Sequence, residues 1–295
     1  MSAPIRILLQ TSIVPTENDW HIGRFSRLAD LLAGERDRNG DPVFLVAARD
    51  RDPLGSADPV LSTLDTSPFD ELWLFAVDTG EGLDDADRAG IDRFRRRGGG
   101  LMLTRDHMDL GCSICALPGV GAAHLFHTHN VDPGRPVAEP DDKGTPEILW
   151  PNFHSGLNGD FQEIEPSEPV HPILSGGRAN SDIIRYLPAH PHEGAVASPA
   201  GDRSARVIAT GTSKTTGNRF NVAVAFEASS HGGRAVAQST FHHFADYNWD
   251  PASGAPDFVS EPPGSSILEH PTALAATHAY ARNLALWLAG RLSPV

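Results

Sequence analysis

Short continuous apolar runs alternate with stretches of helical period over the first hundred residues. "IRILLQ" (5–10) is followed by "WHIGRFSRLADLLAG" (20–34), in which Ile22, Phe25, Leu28, Ala29 and Leu32 share one helical face and Gly34 acts as a stop. "PVFLVAA" (42–48), "ELWLFAV" (71–77) and "GLMLT" (100–104) are further apolar runs of the kind that parallel strands buried on both faces require. Residues 49–70 read as a loop with one helical turn. "LDDADRAGIDRFRRRGG" (83–99) reads as a helix, with acids at its start, arginines at its end and glycines to stop it. The alternation predicts an α/β fold built on one doubly wound, mostly parallel sheet of flavodoxin-like topology. Its functional crevice is then expected beyond the carboxyl ends of the strands.

After residue 104 the chain is expected to pass through a sharp turn, "RDHMDLG" (105–111), into another helix. Over 117–200 the pattern changes: Pro, Gly, Asp and His dominate, and the segment holds His124, His127, His129, His154, His171, His190 and His192. It reads as a loop-rich insertion over the strand ends, within a single domain spanning 1–295. Regular structure returns with a hairpin of "ARVIATG" (205–211) and "FNVAVAFEA" (220–228), then a late strand "GRAVAQSTF" (233–241). A last helix (271–291) starts at Pro271 and buries Leu274, Ala281, Leu284 and Leu288, with Trp287 beside them.

Composition narrows the function classes. The 295 residues carry 24 basic and 38 acidic side chains, a formal charge of −14, and the densest basic run is "RFRRR" (93–97). Nucleic acid and anionic membrane are therefore poor partners, and a small-molecule substrate is expected instead. No apolar run approaches the roughly 20 residues of a membrane helix, and the start shows no signal-peptide pattern, so a cytoplasmic location is expected. Cys112 and Cys115 have redox spacing but no companion ligands, and read as small apolar residues packing the segment after the turn.

Three polar motifs stand in order along the chain: "DHMDLG" (106–111), "HPHEG" (190–194) and "HHF" (242–244). With the run "FDELWLFAVDTG…LDDADRAGIDRFRRRGGGLMLTRDH", they resemble the class I glutamine amidotransferase-like superfamily, specifically its trehalose-utilisation (ThuA-like) branch and a bacterial group within it, over roughly residues 70–290. The resemblance implies the same fold and a carbohydrate-like substrate. Proteins of this fold often pair through exposed helices, so a homodimer is an open expectation, although no segment announces an interface. The departures are equally informative. His107 stands where amidotransferases carry the nucleophilic cysteine of "GxCxG", and the late strand ends in His242 and His243 without the "HPE" of those enzymes. The departures argue against glutamine hydrolysis through a thioester, because Cys112 comes a helical turn too late to replace the nucleophile.

In this fold the turn after residue 104 and the end of the late strand face one crevice, which the "HPHEG" loop can cover. His107, His192 and His242 then converge as ligands for Zn²⁺ or another first-row ion such as Fe²⁺ or Mn²⁺. Without a metal, His107 and His242 act as acid/base groups beside a carbonyl, with Glu193 as proton shuttle or ligand and Asp106 orienting an imidazole. No nucleotide cofactor is expected. Arg105, Asp78 and His243 are candidates for substrate contact, each with an ordinary structural alternative, such as a salt bridge for Arg105. His127 and His129 in "FHTHN" have a spacing that holds metal, but surface histidines of a polar loop are the commoner case. The sequence thus points to a hydrolase or lyase acting on a small polar metabolite, against a non-catalytic ligand-binding or assembly module that keeps the fold.

Overall fold

A computed structural model describes residues 3–53, 55–134, 142–175 and 183–292. The strands are β1 (Ile5–Thr11), β2 (Phe44–Arg49), β3 (Glu71–Phe75), β4 (Gly100–Thr104), β5 (His124–Leu125), β6 (Phe161–Glu163), β7 (Glu165–Pro166), β8 (Tyr186–Pro188), β9 (Ala195–Val196), β10 (Ala205–Thr212), β11 (Arg219–Phe226) and β12 (Ala235–Gln238). The α-helices are α1 (Ser26–Ala33), α2 (Asp85–Arg96), α3 (Asp246–Trp249), α4 (Ser266–Glu269) and α5 (Pro271–Leu288). Eight strands form one sheet in the order β2-β1-β3-β4-β12-β11-β10-β7. The first five are mutually parallel and the remaining three add on antiparallel. The predicted doubly wound sheet is therefore present, with the 205–228 hairpin at one side.

Strand periodicity builds the two faces. Ile7, Leu9, Trp73, Phe75 and Met102 point into a core with Leu28 and Leu32 of α1 and Tyr280 and Leu284 of α5. Their neighbours Leu8, Leu72, Leu74, Leu101 and Leu103 point the other way, against Ile91 and Phe94 of α2. Asp84 caps α2 by accepting from the Ala86 amide, and Asp87 completes a capping box. Among the described residues no helix is long and apolar enough to cross a membrane.

Two expectations are corrected. The second apolar run forms an edge strand in which only Phe44 is buried and the other five residues are exposed or part-exposed, because only β1 flanks it. The turn at 105–111 leads into a 3-10 turn, Cys112–Ala116, in place of an α-helix. Met108 and Gly111 take positive φ in the turn itself (47° and 84°), and the segment after it stops within five residues because Leu117, which precedes Pro118, is extended. Residues 117–200 carry two- and three-residue strands and 3-10 turns among their described residues, while 135–141 and 176–182 lie outside them. Trp150, Phe153, Ile164 and Leu187 of this segment join the same core as Trp73 and α5.

Glu71 opens β3 with its side chain fully buried. Trp73 Nε1 donates to Oε2 at 2.9 Å, while Oε1 has no partner among the described residues. Burial pushes this carboxyl well above the glutamate range. The folded state thus keeps a proton that the unfolded chain releases, so stability falls as pH rises above the ordinary glutamate value. Glu71→Gln removes that dependence. In urea melts, the variant is expected to gain at least about 1 kcal/mol on the parent between pH 4.5 and pH 8. An unchanged difference across that range would contradict the assignment.

Candidate functional site

β4 and β12 lie side by side and parallel, so their carboxyl ends reach the same edge of the sheet. Asp106 follows β4 by two residues, and His242 sits in the 3-10 turn Phe241–His243 after β12. His190 comes from the segment after β8. Its imidazole stacks on that of His242, with ring centroids 3.5 Å apart and planes at 13°. One ligand-type atom from each of Asp106, His190 and His242 lies within 4.8 Å of the others, and all three residues are buried. His190 Nε2 is 3.2 Å from Asp106 Oδ1, and His242 Nε2 is 3.8 Å from Oδ2.

Hydrogen bonds behind the rings fix their tautomers. Asn248 Nδ2 donates to the Ala189 carbonyl (2.9 Å), which sets the orientation of that amide, and also to Asn158 Oδ1 (2.8 Å). Both Asn oxygens therefore accept. Asn248 Oδ1 takes the proton of His242 Nδ1 (2.8 Å), and Asn158 Oδ1 takes that of His190 Nδ1 (3.0 Å). In the neutral rings each Nε2 then carries a lone pair, and both lone pairs face a carboxylate. Burial drives His190 down to about 4 and His242 well below the usual histidine value, so both rings are neutral near pH 7. Burial also opposes the charge on Asp106, but His107 and His190 outweigh it and hold the carboxyl well below its usual range. The two Nε2 lone pairs and the carboxylate thus converge with no donor among the three groups themselves; the Thr240 hydroxyl reaches Asp106 Oδ1 only at a long 3.5 Å, and His190 Nε2 has no hydrogen-bond partner among the described residues. A divalent cation fits this donor set of two neutral imidazoles and one carboxylate. The Asn amides supply the outer contacts that orient metal-binding histidines.

The other two histidines expected to bind metal stand beside this cluster. His107 Nδ1 is 3.3 Å from Asp106 Oδ2, and its ring is 5.2 Å from that of His192. Asn152 Nδ2 faces the Ile148 carbonyl, so Asn152 Oδ1 accepts from His192 Nδ1 at 3.1 Å. His192 Nε2 then meets Glu261 Oε1 at 3.0 Å, a contact that needs a shared proton. Burial works against the Glu261 charge, but the His192 hydrogen bond keeps its carboxyl below the usual range. His107 and Glu261 are the most exposed members of the group, so theirs is the side on which it meets solvent.

Several expected site residues serve as scaffold. Glu193 is fully buried: Ser155 Oγ (2.5 Å) and Gln162 Nε2 donate to Oε1, Ser239 Oγ donates to Oε2 (2.8 Å), and His243 Nε2 lies 3.5 Å from Oε2. With both oxygens occupied, Glu193 pins the "HPHEG" loop to the end of β12 and is not placed to shuttle protons. His243, also fully buried, faces Gln238 Nε2 through Nδ1 (2.7 Å) and is not placed for substrate contact. Arg105 is likewise sealed in: it donates to the carbonyls of Asp106, Met108, Leu125 and Ala195 and lies over the Phe126 ring, which leaves no nitrogen for a ligand. A Cβ at Gly194 would come within 2.3 Å of Arg105 Nε, which explains the glycine in that motif. Asp78 accepts from Ser113 Oγ and the Gly80 amide, apart from the cluster. His127 bonds the Trp150 carbonyl and His129 lies near Asp109, so that pair shares no site.

Sequence reasoning missed His190, Asn158, Asn248, Asn152 and Glu261. The first had a signal: in "HPH" an extended chain turns residues 190 and 192 to the same side. The asparagines had none, because their partners are 90, 32, 6 and 40 residues away.

The tautomers can be read directly. In long-range ¹H–¹⁵N spectra of metal-free protein, His190 and His242 are expected as Nδ1–H imidazoles that do not titrate between about pH 5.5 and 8. An Nε2–H form, or protonation in that range, would contradict the geometry.

No protein-family model matches the chain, and no curated protein matches it. Solved structures do. A putative ThuA-like protein from Parabacteroides merdae superposes with a TM-score of 0.50 at 13% identity, covering 99% of this chain and 93% of that one. A cytoplasmic protein of Salmonella typhimurium LT2 gives 0.48 at 11%, covering 98% and 100%. The glutaminase domain of Trypanosoma brucei CTPS gives 0.47 at 13%, covering 99% and 96%. The first of these likenesses shows the shared fold, which is the α/β fold of ThuA-like proteins that the motifs suggested.

Proposed function

We propose that Asp106, His190 and His242 hold a divalent first-row metal ion and that the protein is a metal-dependent hydrolase. The observation that carries this reading is the convergence of two imidazole lone pairs and a carboxylate in a buried site where none of the three groups donates to another and only the long Thr240 contact reaches the carboxylate. Leaving such acceptors facing one another is costly, and a cation removes the cost. A metal-free imidazolium reading is disfavoured, since burial holds both rings neutral near pH 7.

A bound cation supplies Lewis acidity toward a substrate or water oxygen. The chain's own residues divide the remaining work. Asn158 and Asn248 keep the two Nε2 atoms aimed inward. His192 and Glu261 share a proton on the accessible side and can pass it to a ligand atom entering beside His107. Trp20, edge-on to His242 at 4.7 Å, closes the site from behind. The substrate class is the part that rests on the ThuA-like resemblance: a small polar, carbohydrate-like metabolite with a hydrolysable acyl or lactone bond.

Protein purified without a His tag or chelator is expected to contain about one equivalent of zinc, iron or manganese. Asp106→Asn, His190→Ala and His242→Ala should each lose it while remaining folded. Asn248→Ala should weaken metal affinity about 10–100-fold. Hydrolysis of acetylated sugars or sugar lactones should fall in strong chelator and return with added Zn²⁺. Less than about a tenth of an equivalent of metal, with chelator-insensitive hydrolysis, would end this reading.

A further inference from the structure

A cavity of about 800 Å³ opens at the edge of the sheet opposite the Asp106 cluster, where β4 and β12 begin. Arg95, from the last turn of α2, stands in its wall and is only 5% exposed. Its Nε donates to the Gly233 carbonyl at 3.2 Å, and its guanidinium lies over the Phe226 ring at 5.5 Å. Its terminal nitrogens have no hydrogen-bond acceptor among the described residues. A Cβ on Gly119, another wall residue, would lie 2.7 Å from Nη1, so the absence of a side chain there leaves that nitrogen uncovered.

Guanidinium stays charged at any physiological pH, and burying one without a counterion is unfavourable. Asp92 and Asp202 are near enough to favour the charge, yet neither lies within ion-pair distance of Arg95. Asp92 is already paired with Arg96 at 2.9 Å, and Asp202 accepts from the Ser204 hydroxyl and amide. Arg203 and His231 line the same cavity and make no ion pair among the described residues. In a chain of net charge −14, a cavity holding three arginines, one histidine and two engaged aspartates is a local reversal of sign.

We propose that this cavity binds a small organic oxyanion, a phosphate monoester or a carboxylate, with Arg95 as its anchor and Arg203 and His231 closing over it from the rim. The planar fork of a guanidinium matches either group through paired N–H donors. The volume suits a metabolite-sized ligand. The site is separate from the Asp106 cluster, and its existence does not depend on the metal proposal.

Calorimetric titration of the full chain at low ionic strength tests it, with glucose 6-phosphate, citrate and inorganic phosphate as probes and glucose as the uncharged control. At least one probe is expected to bind with a dissociation constant below about 1 mM, and glucose is not. Comparing glucose 6-phosphate with citrate separates phosphate from carboxylate recognition. Arg95→Met keeps the packing on Phe226 and should weaken binding about tenfold or more. Should that variant fail to fold, the exposed pair Arg203→Ser/His231→Ser should weaken it about threefold or more. The proposal is overturned if no probe binds by about 10 mM, or if Arg95→Met, or the rim pair in its place, leaves affinity unchanged. Binding lost in Asp106→Asn but kept in Arg95→Met would put the anion at the other end of the sheet and also overturn it.

Discussion

The Ala189 carbonyl accepts a hydrogen bond from Asn248, and from that contact the tautomers of both imidazoles facing Asp106 follow. It turns the Asn248 oxygen toward His242, makes the Asn158 oxygen an acceptor, and so leaves both imidazoles with their protons on the outer nitrogens. A buried carboxylate then faces two lone pairs. With the amides reversed, the same three residues would form an ordinary hydrogen-bonded cluster satisfied without a cation. The chemistry proposed here depends on that orientation more than on the count of histidines.

Holding this arrangement requires the 117–200 segment to be clamped to the sheet, and two buried charged residues do so. Glu193 ties the "HPHEG" loop to Ser239 beyond β12 and to Ser155 and Gln162 of the insertion itself. Arg105, just after β4, gathers carbonyls from Met108, Leu125 and Ala195. Each is fully buried, and each has its charge met by several partners, as buried charges must. Removing either side chain strands several donors or acceptors at once. They contribute to function through position, although neither touches the open side of the site.

The elements that position the site were legible because they repeat a local rule. The apolar runs at 71–77 and 100–104 and the hairpin at 205–228 declare their periods within a few residues, and β3, β4, β10 and β11 lie there. His242 and Asp106 could be placed together from topology, since parallel strands bring their carboxyl ends to one edge. His190 could not be chosen over His192 from sequence, because both ride the same short segment. What separates them is a distant amide on one side and Glu261 on the other. Glu193 and Arg105 drew attention as charged residues in motifs, but their burial depends on the path of the insertion, which no local pattern reveals. The α-helix expected after residue 111 failed for a local reason: Leu117, which precedes Pro118, is extended and ends the segment after one short 3-10 turn.

Anomalous diffraction from crystals grown with Zn²⁺, recorded on both sides of the zinc edge, tests the central claim most directly. The account predicts a single strong peak at coordination distance from His190 Nε2, His242 Nε2 and an Asp106 carboxylate oxygen. His107 and His192 should lie outside that first set of ligands. A structure with no peak between these three groups, in which an Nε2–H of His190 or His242 bonds Asp106 instead, would contradict it.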